Sequence, residues 1–179
     1  MPQTSTRRRP APTRTRPASV GTYRKSRPTA SFGELRSAVL GDALFGAGSR
    51  ALAEAHAAHV ESATFRYEFA RRSEALDGAP GATHAMEIPF VFDLARLPQR
   101  HGPNALLGPV RPPADLAADM HSAWVRFVTT GDPGWPPYDT ERRATMCIAA
   151  EWSVLDDPRG QERRAWTLGS RPERPVKSR

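Results

Sequence analysis

The chain has 179 residues, with 26 Lys and Arg against 19 Asp and Glu, 18 prolines and a single cysteine. That length suits one ordinary domain. The lone Cys147 excludes an internal disulfide framework and a four-thiolate zinc cage, and no apolar run approaches the roughly 20 residues that cross a bilayer. The net charge of +7 has a local source: residues 1–33 hold every basic residue from Arg7 to Arg27 and no acid, and the chain from Glu34 onward is close to neutral.

Residues 1–30 read as a disordered basic leader, rich in Pro, Ser and Thr. No apolar stretch follows Arg7-Arg8-Arg9, so the leader is neither a secretory nor a twin-arginine signal. Its charge would attract phosphates without selectivity. No aromatic stands among the arginines before Tyr23 and no nucleic-acid module is recognisable, so a solvated tail fits better than a nucleic-acid partner.

Order is expected from Ser31. Ser31-Phe32-Gly33-Glu34 has capping-box spacing, and Phe32, Leu35, Val39, Leu40 and Leu44 recur at helical intervals. A second, Ala-rich helix is predicted from Ser49 to about Val60, with Leu52 on its buried side. Residues 63–70 alternate, with Phe65, Tyr67 and Phe69 on one face and Arg66 and Glu68 on the other, which predicts a strand.

A Gly-containing loop with His84 follows, and 98–113 reads as loop. The clearest helix runs from about Pro113 to Thr130. Leu116, Met120, Trp124, Phe127 and Val128 are its apolar positions, Asp115 complements its dipole and Gly131 stops it. Asp132-Pro133-Gly134 is a turn. Ala144–Ile148 and Trp152–Leu155 form a hairpin, and Asp157-Pro158 caps a last helix that reaches Trp166. Residues 169–179 read as a flexible basic tail.

Isolated residues carry little chemistry by themselves. His56 and His59 stand at i, i+3 with Glu54 nearby, a spacing that can hold a metal, but a solvated Ala-rich helix explains them more simply. His121 reads as a packing or capping residue. Met120, Trp124 and Phe127 read as core rather than a substrate stripe, and Cys147 as a small buried apolar residue.

One stretch is specific. Gly81-Ala82-Thr83-His84-Ala85-Met86-Glu87-Ile88-Pro89-Phe90-Val91-Phe92-Asp93 closely resembles the histidine motif of type-B carboxylesterases, the family of the bacterial para-nitrobenzyl esterases and the cholinesterases. Phe65-Arg66-Tyr67-Glu68-Phe69 resembles the strand before that loop. His121-Ser122-Ala123-Trp124-Val125-Arg126-Phe127, then Thr130-Gly131-Asp132-Pro133 and Trp135-Pro136-Pro137-Tyr138, resemble the family's long C-terminal helix and its exit. Arg143-Ala144-Thr145-Met146 and Asp157-Pro158-Arg159 match its terminal hairpin and helix. The likeness covers roughly residues 21–168 in consistent order.

The resemblance implies an α/β fold: the C-terminal third of an α/β-hydrolase, filling residues 31–168. Its triad runs Ser, acid, His along the chain, with the serine on a Gly-x-Ser-x-Gly elbow. His84 is then the catalytic histidine, and Glu87 an acid supporting the site from behind it. The elbow pattern is absent from these residues, and no context for the acid occurs in 1–80. The expected chain supplies the histidine of a carboxylic-ester hydrolase, is inactive alone and needs no cofactor or metal. Its partners would be an ester substrate in the parent enzyme and an N-terminal esterase half, with no membrane. The Arg-Pro leader does not resemble esterase sequence. A basic-tailed binding scaffold and one half of a split esterase are the alternatives. The cytoplasm is the default location, although a parent with its own signal would be secreted.

Overall fold

The computed structural model describes residues 20–59, 61 and 63–167. The chain divides into two units, one formed by residues 20–50 with 159–167 and the other by 51–158. Most of the predicted leader and all of the 169–179 tail lie outside the described residues.

The first unit is helical. Helix α1 (Val20–Ser26) occupies the end of the expected leader. Order therefore begins before Ser31, because Tyr23 is fully buried and supplies an anchor that composition alone conceals. Helix α2 (Phe32–Gly41) opens with the predicted capping box: the Glu34 amide donates to Ser31 Oγ at 3.2 Å, and the Ser31 amide donates to Glu34 Oε2 at 2.8 Å. A π-helical turn, Asp42–Gly46, leads into α3 (Ala47–Ala57). The last helix, α6, runs Gly160–Thr167.

Tyr23, Leu35 and Trp166 form the apolar centre of this unit, with Ala38, Val39 and Ala165 packed against it. Polar groups are built into the same place. The Tyr23 hydroxyl donates to Asp42 Oδ2 at 2.6 Å and accepts from Trp166 Nε1 at 2.7 Å. Arg50 Nη1 donates to Asp42 Oδ1 at 2.9 Å. Arg27 and the Ser26 hydroxyl converge on the buried Glu162 carboxylate, at 2.8 and 2.6 Å on Oε1.

This network corrects two expectations about the helices. Leu52 was assigned to the buried side of α3, yet it is 72% exposed and Arg50 takes the interior position. The reason is charge pairing: a guanidinium that meets a buried carboxylate is held inside, and the face is then not apolar. Phe32 and Leu44 are exposed as well, so of the predicted stripe only Leu35 is fully buried.

The second unit carries a small mixed sheet of order β1-β2-β3, made of β1 (Tyr67–Phe69), β2 (Ala144–Ile148) and β3 (Trp152–Asp156). β1 and β2 are parallel, with Tyr67 opposite Met146 and Phe69 opposite Ile148. β2 and β3 form the predicted antiparallel hairpin, with Ile148 opposite Trp152. The strand predicted over 63–70 is regular only where it runs beside β2.

Helix α4 (Ile88–Val91) and the long α5 (Ala114–Thr130) cover the sheet. Met86, Phe90, Leu116, Met120, Met146 and Ile148 form the core between them. α5 stops where Gly131 turns left-handed, φ 77°, and its amide returns to the Phe127 carbonyl at 2.8 Å. The Gly134 amide then donates to Asp132 Oδ1, closing the predicted turn. Trp124 and Phe127, read as core, are both more than a third exposed on α5, whereas Met120 is buried as expected. Cys147 is half-buried rather than enclosed, because its position on β2 faces away from α5.

Candidate functional site

The segment from Ser73 to the end of α4 is fixed at both ends. At its start the Ser73 amide donates to the Gly81 carbonyl at 2.9 Å, and the Ser73 hydroxyl donates to the Leu106 carbonyl at 2.7 Å. Ser73 is buried, so both bonds stand away from water and hold the loop base firmly. At its end Met86 and Phe90 are buried in the core. Between these anchors Thr83 and His84 stand exposed on a turn, with the Met86 amide bonded to the Thr83 carbonyl.

The residue after the histidine is strained. Ala85 has φ 66°, a left-handed conformation that costs an L-residue about 1–2 kcal/mol. Such strain is retained where the surroundings over-determine the backbone, and here buried Met86 next in the chain does so. His84 is thereby presented outward from a rigid base.

Beside this turn α4 and α5 enclose an open groove of about 520 Å³, lined by Tyr67, Glu87, Val91, His121, Trp124 and Val128 among others. Glu87 is half-buried there. Burial, and after it the Glu87 charge, hold the Tyr67 hydroxyl protonated above its usual range. His121 Nδ1 donates to the Val91 carbonyl at 2.8 Å, which ties α5 to the end of α4. Glu87, Tyr67 and His121 thus meet in one groove, and His84 lies outside its lining.

Tyr67 and His121 were legible as a strand aromatic and a helix residue, but not as neighbours of Glu87. Their meeting depends on α4 being only one turn long, which no periodicity announces. The other polar residues have structural partners. His56 Nδ1 lies 2.7 Å from Thr64 Oγ1, and Glu54 pairs with Arg143 at 3.1 Å. Among the described residues no three His, Cys, Asp or Glu side chains gather as a metal site. No helix among them is long and apolar enough to cross a membrane.

Comparison with known proteins gives this arrangement its class. The chain superposes on the Geobacillus stearothermophilus carboxylesterase EST55 with a TM-score of 0.65 at 30% identity, over 86% of this chain and 33% of that one. It superposes on a PNB esterase with a TM-score of 0.62 at 26% identity, over 76% and 28%. The para-nitrobenzyl esterase of Bacillus subtilis is 32% identical over 87 residues, 46% of this chain and 17% of the relative. The phenmedipham hydrolase of Pseudarthrobacter oxydans is 34% identical over 125 residues, 63% and 24%.

The fold is therefore part of an α/β-hydrolase. Residues 9–166 match the model of the carboxylesterase family, and the chain belongs to that family. It spans between 17% and 33% of the length of these relatives. The family match begins at residue 9, so most of the Arg-Pro leader falls inside the esterase stretch, which corrects the expectation that it is foreign.

Proposed function

We propose that this chain is the histidine-bearing segment of a carboxylic-ester hydrolase, with His84 as the general base and acid of a Ser-acid-His triad. The observation that supports the reading most is the turn itself: His84 is exposed on a loop pinned at Ser73 and Met86, in a chain of the carboxylesterase family. An imidazole that works on a nucleophile from another element has to be reachable and rigid, and this turn is both.

In the proposed reaction the imidazole takes the proton of a serine hydroxyl as its oxygen bonds to the ester carbonyl carbon. It returns that proton to the alcohol oxygen as the ester C–O bond breaks. Water repeats the cycle on the acyl-serine and releases the carboxylic acid. The chemistry needs neither metal nor cofactor. Glu87, three residues beyond His84, acts as a positioning residue through its place beside Tyr67 in the groove.

No Gly-x-Ser-x-Gly pattern occurs in the 179 residues. On this reading the serine and its acid come from an N-terminal esterase half outside these residues, and this chain alone hydrolyses no ester. The test mixes the chain with the part of the Geobacillus carboxylesterase that it does not match, and follows release of para-nitrophenolate from para-nitrophenyl acetate. Each component alone is expected to be inactive and the mixture active, with His84→Ala reducing the mixture about 10⁶-fold. Hydrolysis by the 179-residue chain alone, or a mixture indifferent to His84→Ala, overturns the proposal.

A further inference from the structure

The stretch between α4 and α5 carries no periodic pattern, yet much of it is ordered by its own hydrogen bonds. The Arg100 carbonyl accepts from the Leu107 amide at 3.1 Å, and the Gly108 carbonyl accepts from the Gly102 amide at 3.1 Å. His101 Nε2 donates to the Ala95 carbonyl at 2.6 Å. Residues 95–108 are thereby closed on themselves. Ala95 and Leu107 are buried in the same core as Met86 and Phe90, so the loop is also anchored. No step of the proposed reaction uses it.

One side of this loop lies against the stretch that opens the histidine segment. The Ser73 hydroxyl donates to the Leu106 carbonyl at 2.7 Å and accepts from the Ala75 amide at 3.1 Å. The Leu76 amide donates to the Pro103 carbonyl at 2.8 Å. Gly108 comes so near that a Cβ on it would stand 2.7 Å from the Ala75 nitrogen and 2.9 Å from the Glu74 backbone, and its φ of 80° is left-handed as well. Glycine alone suits both conditions.

These contacts fall where the backbone is least able to hold itself. Leu76 and Asp77 have φ 49° and 56°, a left-handed pair that L-residues avoid. Leu76 is exposed, so burial of its side chain does not fix it. Its conformation is imposed through its own amide at Pro103 and the preceding amide at Ser73 Oγ. The Ser73 amide then closes on the Gly81 carbonyl, three residues before His84.

We infer that the 95–108 loop is a brace for the histidine turn, and that Ser73 and Gly108 are positioning residues for His84. The inference rests on the ester-hydrolase reading for what His84 does once it is held. Met86 fixes the turn from its C-terminal side, and the brace fixes it from the other. A displacement of about 1 Å at a reacting group can cost about 10²-fold in rate, so a support that touches no substrate still sets turnover.

The test has two readouts. In the full chain alone, the ¹⁵N order parameter at the His84 amide is expected near about 0.85, the value of rigid backbone. It should fall below about 0.6 in Ser73→Ala and in Gly108→Ala, while β2 stays rigid in both. In the mixture with the unmatched part of the Geobacillus carboxylesterase, the same variants are expected to lower kcat for para-nitrophenyl acetate at least about tenfold with KM unchanged. A variant that moves one readout without the other, or neither, overturns the proposal. If both variants fail to fold, the unaltered chain decides. Exchange of the Leu76 amide at least about tenfold slower than that of an unprotected amide supports the brace, and exchange at the unprotected rate overturns it. His84→Ala separates the two proposals. If hydrolysis needs His84 and the brace variants change nothing, the brace falls and the catalytic reading stands. If hydrolysis ignores His84 while the brace variants still loosen the turn, the catalytic reading falls and the brace remains as the support of that turn.

Discussion

Replacing Tyr23 with Phe removes one oxygen from the centre of the helical unit. That oxygen makes two short bonds, donating to Asp42 Oδ2 and accepting from Trp166 Nε1. The ring stays and fills the same space, so the packing around Leu35 is preserved. What changes is that the Trp166 indole N–H loses its acceptor and one Asp42 oxygen loses a donor, both at buried residues. Each buried group left without a partner costs about 1–3 kcal/mol. Arg50 still holds the other Asp42 oxygen, so the charge is not abandoned and the carboxylate contribution sits at the low end. The sum is about 3 kcal/mol, a large share of the roughly 5–15 kcal/mol that holds an ordinary domain. Urea unfolding followed by circular dichroism reads this as a lower midpoint with an unchanged slope. The Tyr23→Phe, Trp166→Phe double-mutant cycle should return a coupling of about 1–2 kcal/mol. A Tyr23→Phe cost under about 0.5 kcal/mol would refute the view that this network organises the unit.

The same network sets a pH dependence. Burial pushes the Asp42 carboxyl upward, but bonds from Arg50 and Tyr23 outweigh it and hold the group below its usual range. Glu162 behaves likewise: burial opposes, while Arg27 and Ser26 prevail. Carboxyls depressed in the folded state contribute stability that is complete above their unfolded values, about 3.9 for Asp and 4.3 for Glu, and is lost as pH falls through the folded values. The urea midpoint should therefore hold above about pH 5 and decline below about pH 4, less steeply in Asp42→Asn. At the end of α5, Gly131→Ala should cost about 1 kcal/mol, read from the same unfolding curves. An added Cβ meets nothing within 4 Å, so the cost is that of the left-handed backbone alone. A cost near zero would mean that Gly131 is not held in that conformation in solution.

Local chemistry made much of this fold legible. The Ser31–Glu34 box, the 114–130 helix with its glycine stop, and the β2–β3 hairpin each depend on residues within a few positions of one another. The failures share an opposite character. Tyr23 looked like part of a solvated leader because its partners, Asp42 and Trp166, lie far along the chain. Leu52 looked buried because nothing local reveals that Arg50 is drawn inward by Asp42. At the candidate site His84 and Glu87 were proposed from the resemblance of the histidine motif alone. The groove was beyond reach, since it is made by β1, α4 and α5 meeting, with Trp124 exposed at its wall rather than enclosed.

The partnership of Tyr23 and Trp166 also sets an order of events during synthesis. Helix α1 leaves the ribosome before its partner exists, since the indole it needs is made 143 positions later. At roughly 5–20 residues per second the nascent chain waits many seconds with Tyr23 and Asp42 lacking that third member. All of residues 51–158 are translated in the interval. The helical unit is thus completed only after residues 51–158 have been made, and a chain cut short before Trp166 would leave α1 and α2 without a finished core.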